Sequence, residues 1–135
     1  MERKILYVED NPDAIVFFKR VINKLGDYTL QIVEDGDALA ALVNDSNGKE
    51  IDPEIILLDI NLPGMNGFEI LQYLRSKTKY KRTPVIMFTS SDSESDIEKS
   101  YTYGANAYLV KPDNLQTMYT VLEDTFNFWL KHNVA

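Results

Sequence analysis

A chain of 135 residues is long enough for one ordinary domain and too short for two. Its 44% apolar and 26% charged residues are those of a soluble globular protein, and a formal charge of −7 argues against general nucleic-acid binding, which needs a basic footprint. Cysteine is absent, which removes disulfides and thiolate chemistry. The apolar stretch after Met1-Glu2-Arg3-Lys4 is too short for a signal peptide, and no run approaches the ~18–20 residues that span a bilayer, so a cytoplasmic protein without membrane contact is expected.

Short apolar runs alternate with amphipathic stretches, a pattern that implies βαβ units and a parallel sheet. The first strand covers residues 5–8 and runs into Glu9-Asp10. Asn11 is a good helix N-cap, Pro12 suits the first helical position, and Ile15, Phe18, Ile22 and Leu25 recur at helical spacing until Gly26 stops the helix. Tyr28, Leu30 and Ile32 alternate as a second strand, and Asp35-Gly36 opens a short helix whose predicted buried face is Ala38, Leu39 and Leu42. A polar loop, Asp45-Ser46-Asn47-Gly48-Lys49, leads to Asp52-Pro53 and the third strand, Ile55-Ile56-Leu57-Leu58, which runs into Asp59.

Pro63-Gly64 marks a turn, and Asn66 caps a third helix carrying Phe68, Leu71 and Leu74. The basic stretch Arg75, Lys77, Lys79, Lys81 and Arg82 reads as a solvated helix end and loop. The fourth strand, residues 85–88, ends at Thr89. A polar segment from Ser90 starts a fourth helix that reaches about Tyr103 and stops at Gly104. The fifth strand, residues 108–110, runs into Lys111, and the last helix starts near Asn114 with Leu115, Met118, Leu122, Thr125 and Trp129 on its core face. Tyr119, Phe126, Phe128 and Leu130 add apolar surface beyond that face, which suggests a partner or homodimer surface as readily as core wrapping. Five strands and five helices alternate strictly, with helices on both faces of one sheet. No repeat, low-complexity tract or linker interrupts residues 1–135, so a single domain with no attached output domain is expected.

In an open α/β sheet, ligands collect outside the carboxyl ends of the strands. Glu9, Asp10, Asp59, Thr89 and Lys111 are all expected at that rim, a set suited to Mg²⁺ and a phosphoryl group. An acid after four apolar residues is costly unless paired or ligated, and three clustered acids repel one another without a cation.

Four segments carry a closer likeness: Leu6-Tyr7-Val8-Glu9-Asp10-Asn11-Pro12, Leu57-Leu58-Asp59-Ile60-Asn61-Leu62-Pro63, Met87-Phe88-Thr89-Ser90, and Gly104-Ala105-Asn106-Ala107-Tyr108-Leu109-Val110-Lys111-Pro112. In this order, each at a predicted strand end, they resemble the CheY-like receiver domain of two-component response regulators over essentially the whole chain. The resemblance implies a flavodoxin-like (βα)5 doubly wound parallel sheet with strand order 2-1-3-4-5. It also implies that Asp59 is the phosphoacceptor, a carboxylate able to attack phosphorus and form an acyl phosphate.

By the same likeness Asp10, Asp59 and the backbone carbonyl of Asn61 would ligate Mg²⁺, with Glu9 acting through water; the family often has Asp where this chain has Glu9. Thr89 and Lys111 would bind the phosphoryl oxygens through a hydroxyl and an ammonium. Thr89 and Tyr108 would form a switch: phosphate draws Thr89 inward and the Tyr108 ring fills the vacated space, reshaping the face made by the fourth helix, fifth strand and fifth helix. That face is also where a homodimer would form. Lys111-Pro112 resembles the family's cis peptide. Asn61 and Ser91, two residues after Asp59 and Thr89, would tune water access to the acyl phosphate.

The only histidine, His132, reads as a solvated residue near the end of the chain, so the phosphoryl donor would be a separate sensor histidine kinase. Thr89-Ser90-Ser91-Asp92, Asp96-Ile97 and Phe128-Trp129-Leu130 are similar to stand-alone receivers that serve bacterial phytochromes, which implies a phytochrome-type kinase as partner.

Competing readings come from other classes. Asp59-Ile60-Asn61 is similar to the Asp-x-Asp of haloacid-dehalogenase phosphatases, but Asn61 cannot transfer a proton as the second Asp there does, and that nucleophile normally ends the first strand. A flavodoxin-like FMN carrier needs a hydroxyl- or glycine-rich loop after the first strand, where this chain has the repelling Glu9-Asp10-Asn11-Pro12. A phosphorylation-independent receiver-like binding module would have little reason to keep the full site.

Overall fold

A computed structural model describes residues 3–44 and 52–135; the expected loop at residues 45–49 lies outside them. The strands are β1 (Arg3–Val8), β2 (Tyr28–Val33), β3 (Ile55–Leu58), β4 (Val85–Thr89) and β5 (Ala107–Val110), and the helices α1 (Pro12–Leu25), α2 (Gly36–Val43), α3 (Gly67–Ser76), α4 (Glu94–Thr102) and α5 (Leu115–Phe126). All neighbouring strands pair in parallel in the order β2-β1-β3-β4-β5. This is the flavodoxin-like arrangement that the resemblance implies. The three central strands β1, β3 and β4 hold the most completely buried side chains, as continuous apolar runs of a doubly covered parallel sheet should.

The helix starts follow local chemistry. The Asn11 side chain accepts from the amides of Asp13 and Ala14, with Pro12 at the first helical position, and Asn66 with Glu69 forms a reciprocal capping box on α3. Gly67 is required by close approach: a Cβ there would lie 2.3 Å from the backbone oxygen of Asp59. The start of α3 is thereby pressed against the end of β3, which fixes the loop that carries Asp59.

Two apolar layers flank the sheet. One packs Phe18, Val21 and Ile22 of α1 and Met118, Leu122 and Phe126 of α5 against Tyr7, Leu57 and Phe88. The other packs Leu39 and Val43 of α2 and Ile70, Leu71 and Leu74 of α3 against Leu6, Ile56, Leu58 and Met87. Among the described residues no helix is long and apolar enough to cross a membrane.

Several expectations need correction. Helix α2 buries Leu39 and Val43, while Ala38 is exposed and Leu42 only half-buried, because the helix is rotated to seat Gly36 under Met65. Phe68 is half-buried and stacks edge-on with Tyr103, and Ile70 takes its place in the core. The last helix runs past Trp129: α5 continues as a wider π-helical turn, Asn127–His132, closed by the Asn133 amide donating to the Phe128 carbonyl. Phe126 and Leu130 are consequently core residues and Trp129 is half-buried, so Phe128, 51% exposed, is the clear surplus. Lys111–Pro112 is trans, as no cis peptide bond occurs among the described residues. Trans is the ordinary isomer for X–Pro.

Arg75 is not a solvated helix end. It donates from Nε to the Gly104 carbonyl (2.9 Å), from Nη1 to the carbonyls of Tyr80 and Thr83 (2.8 Å each), and from Nη2 to Asn106 Oδ1 (2.6 Å). Burial lowers its pKa from the ordinary value. The guanidinium fork ties the end of α3 to the turns before β4 and before β5.

Candidate functional site

The backbone ladder continues past the strand ends and brings the candidate residues together. The Glu9 amide donates to Val33 (3.0 Å), the Asp59 amide to Val8 (3.2 Å) and the Lys111 amide to Thr89 (2.7 Å), so the four positions lie along one rim. Glu9 and Thr89 are each 1% exposed and Asp59 is 7% exposed, an unusual concentration of buried polar groups.

Lys111 is the cation that makes this burial tolerable. Its Nζ donates to Asp59 Oδ2 at 3.2 Å and to Glu9 Oε1, spanning two strand ends. The side chain is 13% exposed. Asp59 Oδ1 accepts from the Ile60 amide at 2.8 Å, so both carboxylate oxygens are engaged. Glu9 is held more fully: Oε1 also accepts from the Tyr7 hydroxyl (3.2 Å), and Oε2 from the amides of Asp10 (3.1 Å) and Asn11 (3.3 Å). Burial raises the Glu9 pKa, and the Asp59 charge adds to it; the Lys111 hydrogen bond and charge pull the other way. Burial, reinforced by Glu9, pushes the Tyr7 phenol far above its ordinary range and keeps it a neutral donor.

The third acid behaves differently. Asp10 is exposed, and among the described residues its carboxylate has no hydrogen-bond partner. The described residues contain no group of three metal-binding side chains gathered within reach of one ion, because Glu9 is turned inward to Lys111 and Tyr7. This differs from the expectation of three converging carboxylates. Asp10 follows the end of β1 and Asn61 lies in the loop just after Asp59; both are exposed, and the Asn61 carbonyl accepts no hydrogen bond among the described residues. Two carboxylates and a free carbonyl are hard oxygen donors of the kind Mg²⁺ takes while keeping waters, so these residues fit the ion, with Glu9 behind them.

Beyond the rim, Thr89 Oγ1 accepts from the Ser91 amide (3.4 Å), and the Tyr108 hydroxyl donates to the Ser91 carbonyl (2.8 Å). Burial raises the Tyr108 pKa while that hydrogen bond lowers it. The Tyr108 ring is half-buried against the layer formed with α2 and α3. Sequence reasoning missed Tyr7, Asp96 and Arg75 as contributors. Tyr7 carried a usable signal: two residues before Glu9 on a strand, it must point to the same side. Asp96 bonds to the Ser91 hydroxyl at 2.6 Å.

Residues 5–123 match the family model described as the response regulator receiver domain. The chain is 34% identical over 130 residues to the response regulator Rcp1 of Synechocystis, a match covering 94% of this chain and 88% of that protein. A crystal structure of the phosphorylated cyanobacterial phytochrome response regulator RcpA superposes with a TM-score of 0.89 at 31% identity, covering 99% and 98% of the two chains. The receiver domain of the sensor histidine kinase PA1611 from Pseudomonas aeruginosa, solved with magnesium in its active-site cleft, superposes at 0.79 with 27% identity over 96% and 98%. On the family match and on these likenesses, the chain belongs to the response regulator receiver domain family.

Proposed function

We propose that this chain accepts a phosphoryl group on Asp59 from a separate histidine kinase and signals through a phosphorylation-dependent change of the α4–β5–α5 face. The observation that carries the reading is the Asp59 carboxylate at the end of β3, seven per cent exposed and paired to Lys111 Nζ at 3.2 Å. An Asp59 oxygen attacks phosphorus as the bond from phosphorus to the donor imidazole breaks, leaving an acyl phosphate. Lys111 stands where it can move from neutralising two carboxylates to neutralising the phosphoryl oxygens, and the Thr89 hydroxyl is the second donor.

Asp10, Asp59 and the Asn61 carbonyl would hold Mg²⁺, which when bound offsets the charge of the acids and the phosphoryl group. That RcpA is described in a phosphorylated form and the PA1611 receiver with magnesium supports this reading. The likeness to RcpA and Rcp1 favours a phytochrome-type kinase as the donor. Tyr101 on α4 and Val110 on β5, 51% and 46% exposed, offer apolar contacts on the output face, where a target protein or a second copy would bind. The chain's role is that of a signalling phosphoacceptor, and its chemistry is limited to its own phosphorylation and dephosphorylation.

Intact mass after incubation with Mg²⁺ and acetyl phosphate tests the site. One added phosphoryl group is expected, lost without Mg²⁺ and lost in Asp59→Asn. No adduct in the unaltered protein would favour the phosphorylation-independent binding module.

A further inference from the structure

The loop between β4 and α4 carries a side-chain connection that the phosphoacceptor reading does not use. Ser91 Oγ donates to Asp96 Oδ2 at 2.6 Å, a short charge-assisted bond, and accepts from the Ser93 amide at 3.3 Å. With both roles occupied, the hydroxyl has one orientation. The same residue reaches the other two parts of the switch through its backbone: its amide donates to Thr89 Oγ1, and its carbonyl accepts from the Tyr108 hydroxyl. Ser91 is therefore the junction of β4, α4 and β5, and Asp96 is the acceptor that holds its hydroxyl proton.

Helix capping does not account for that anchor. Ser93 caps α4 by accepting from the Asp96 amide at 3.2 Å, and Glu94 already supplies an acidic side chain in the first turn. The Asp96 carboxylate instead turns back onto the loop. Its bond also matters more than a similar one would elsewhere, because Ser100 is the only fully buried residue of α4. At its other end the helix is tied by Arg75 to the Gly104 carbonyl. The direction of the Ser91 amide bond has a chemical consequence. With Thr89 Oγ1 acting as acceptor toward Ser91, the threonine proton stays available to another acceptor.

We propose that Asp96 is a positioning residue which, by holding the Ser91 hydroxyl, sets the aim of the Thr89 hydroxyl and the seat of the Tyr108 ring. The relay couples the first turn of α4 to the rim: a partner that pulls on α4 loosens Thr89, and a phosphoryl group that draws on Thr89 strains the Ser91–Asp96 bond. Its kinetic half rests on Asp59 being the phosphoacceptor; its conformational half does not.

The test uses the full chain with 3-fluorotyrosine incorporated, the Tyr108 ¹⁹F resonance being assigned by its loss in Tyr108→Phe. Ser91→Ala and Asp96→Ala are each expected to shift that resonance in the unphosphorylated protein and to slow phosphorylation by acetyl phosphate about five- to tenfold, the size expected of one hydrogen bond lost at a half-exposed site. Asp96→Asn keeps an acceptor for Ser91 Oγ and is expected to restore most of both, whereas the double alanine variant should be no worse than either single one. An unmoved resonance with unaltered rates in Asp96→Ala, even if its melting temperature falls, would overturn the relay and leave Asp96 as a plain helix-start acid. Should no variant accept phosphate, the unaltered chain included, the phosphoacceptor reading fails, and the resonance alone decides the relay.

Discussion

Helices α1 and α5 on one side of the sheet and α4 on the other are held by different physics. Helix α1 buries Ile15, Phe18, Val21 and Ile22, and α5 buries Met118, Leu122, Thr125 and Phe126, with Phe18 stacked on Tyr7 at 4.0 Å and Phe88 inclined to both at 6.1–6.2 Å. Helix α4 fully buries one residue, Ser100, and is held chiefly by hydrogen bonds at its ends. Buried apolar area lost to water is not replaced, at about 25 cal/mol per Å². A hydrogen bond given up at a half-exposed site is largely replaced by water. The first arrangement makes a fixed wall and the second a helix that can shift at small cost, on the side where Tyr108 sits.

Substitutions can break or sharpen this contrast. The largest expected effect is Phe126→Ala, which empties a fully buried site on the fixed wall and should cost about 3–5 kcal/mol in chemical denaturation. Arg75→Ala should cost about 2 kcal/mol by leaving several carbonyls and Asn106 Oδ1 without their donor. Arg75→Lys should rescue little of it, since one ammonium cannot span the same fork. Asp96→Ala should cost only about 1 kcal/mol, yet speed amide exchange through the first turn of α4. Phe128→Ser should lie within about 0.5 kcal/mol of the unaltered chain, because its ring is half in solvent. If Phe126→Ala and Phe128→Ser proved equally damaging, the assignment of core and surface on α5 would be wrong.

Much of the frame was legible because it is written locally. Asn11-Pro12, Asn66 and Gly26 mark element ends through contacts within a turn. The runs ending at Glu9, Asp59, Thr89 and Lys111 gave the strands and the rim together. Side-chain facing was less legible where the helical period shifts: the π turn after Phe126 brings Leu130 into the core, which an ideal periodicity assigns to Trp129. Long-range polar bonds were not legible at all. Nothing near Arg75 says that its partners are carbonyls five to twenty-nine residues away, and nothing near Glu9 says that Lys111 will turn it inward while its neighbour Asp10 stays exposed.

The central claim is that phosphorylation moves the hydrogen-bonded side of the molecule and leaves the apolar wall in place. Hydrogen–deuterium exchange with and without beryllofluoride and Mg²⁺, a phosphoryl mimic, reads this directly. Exchange should change through residues 89–102 and 107–111 and stay unchanged over 15–22 and 118–126. A uniform change across the chain, or one concentrated in α1 and α5, would contradict the account.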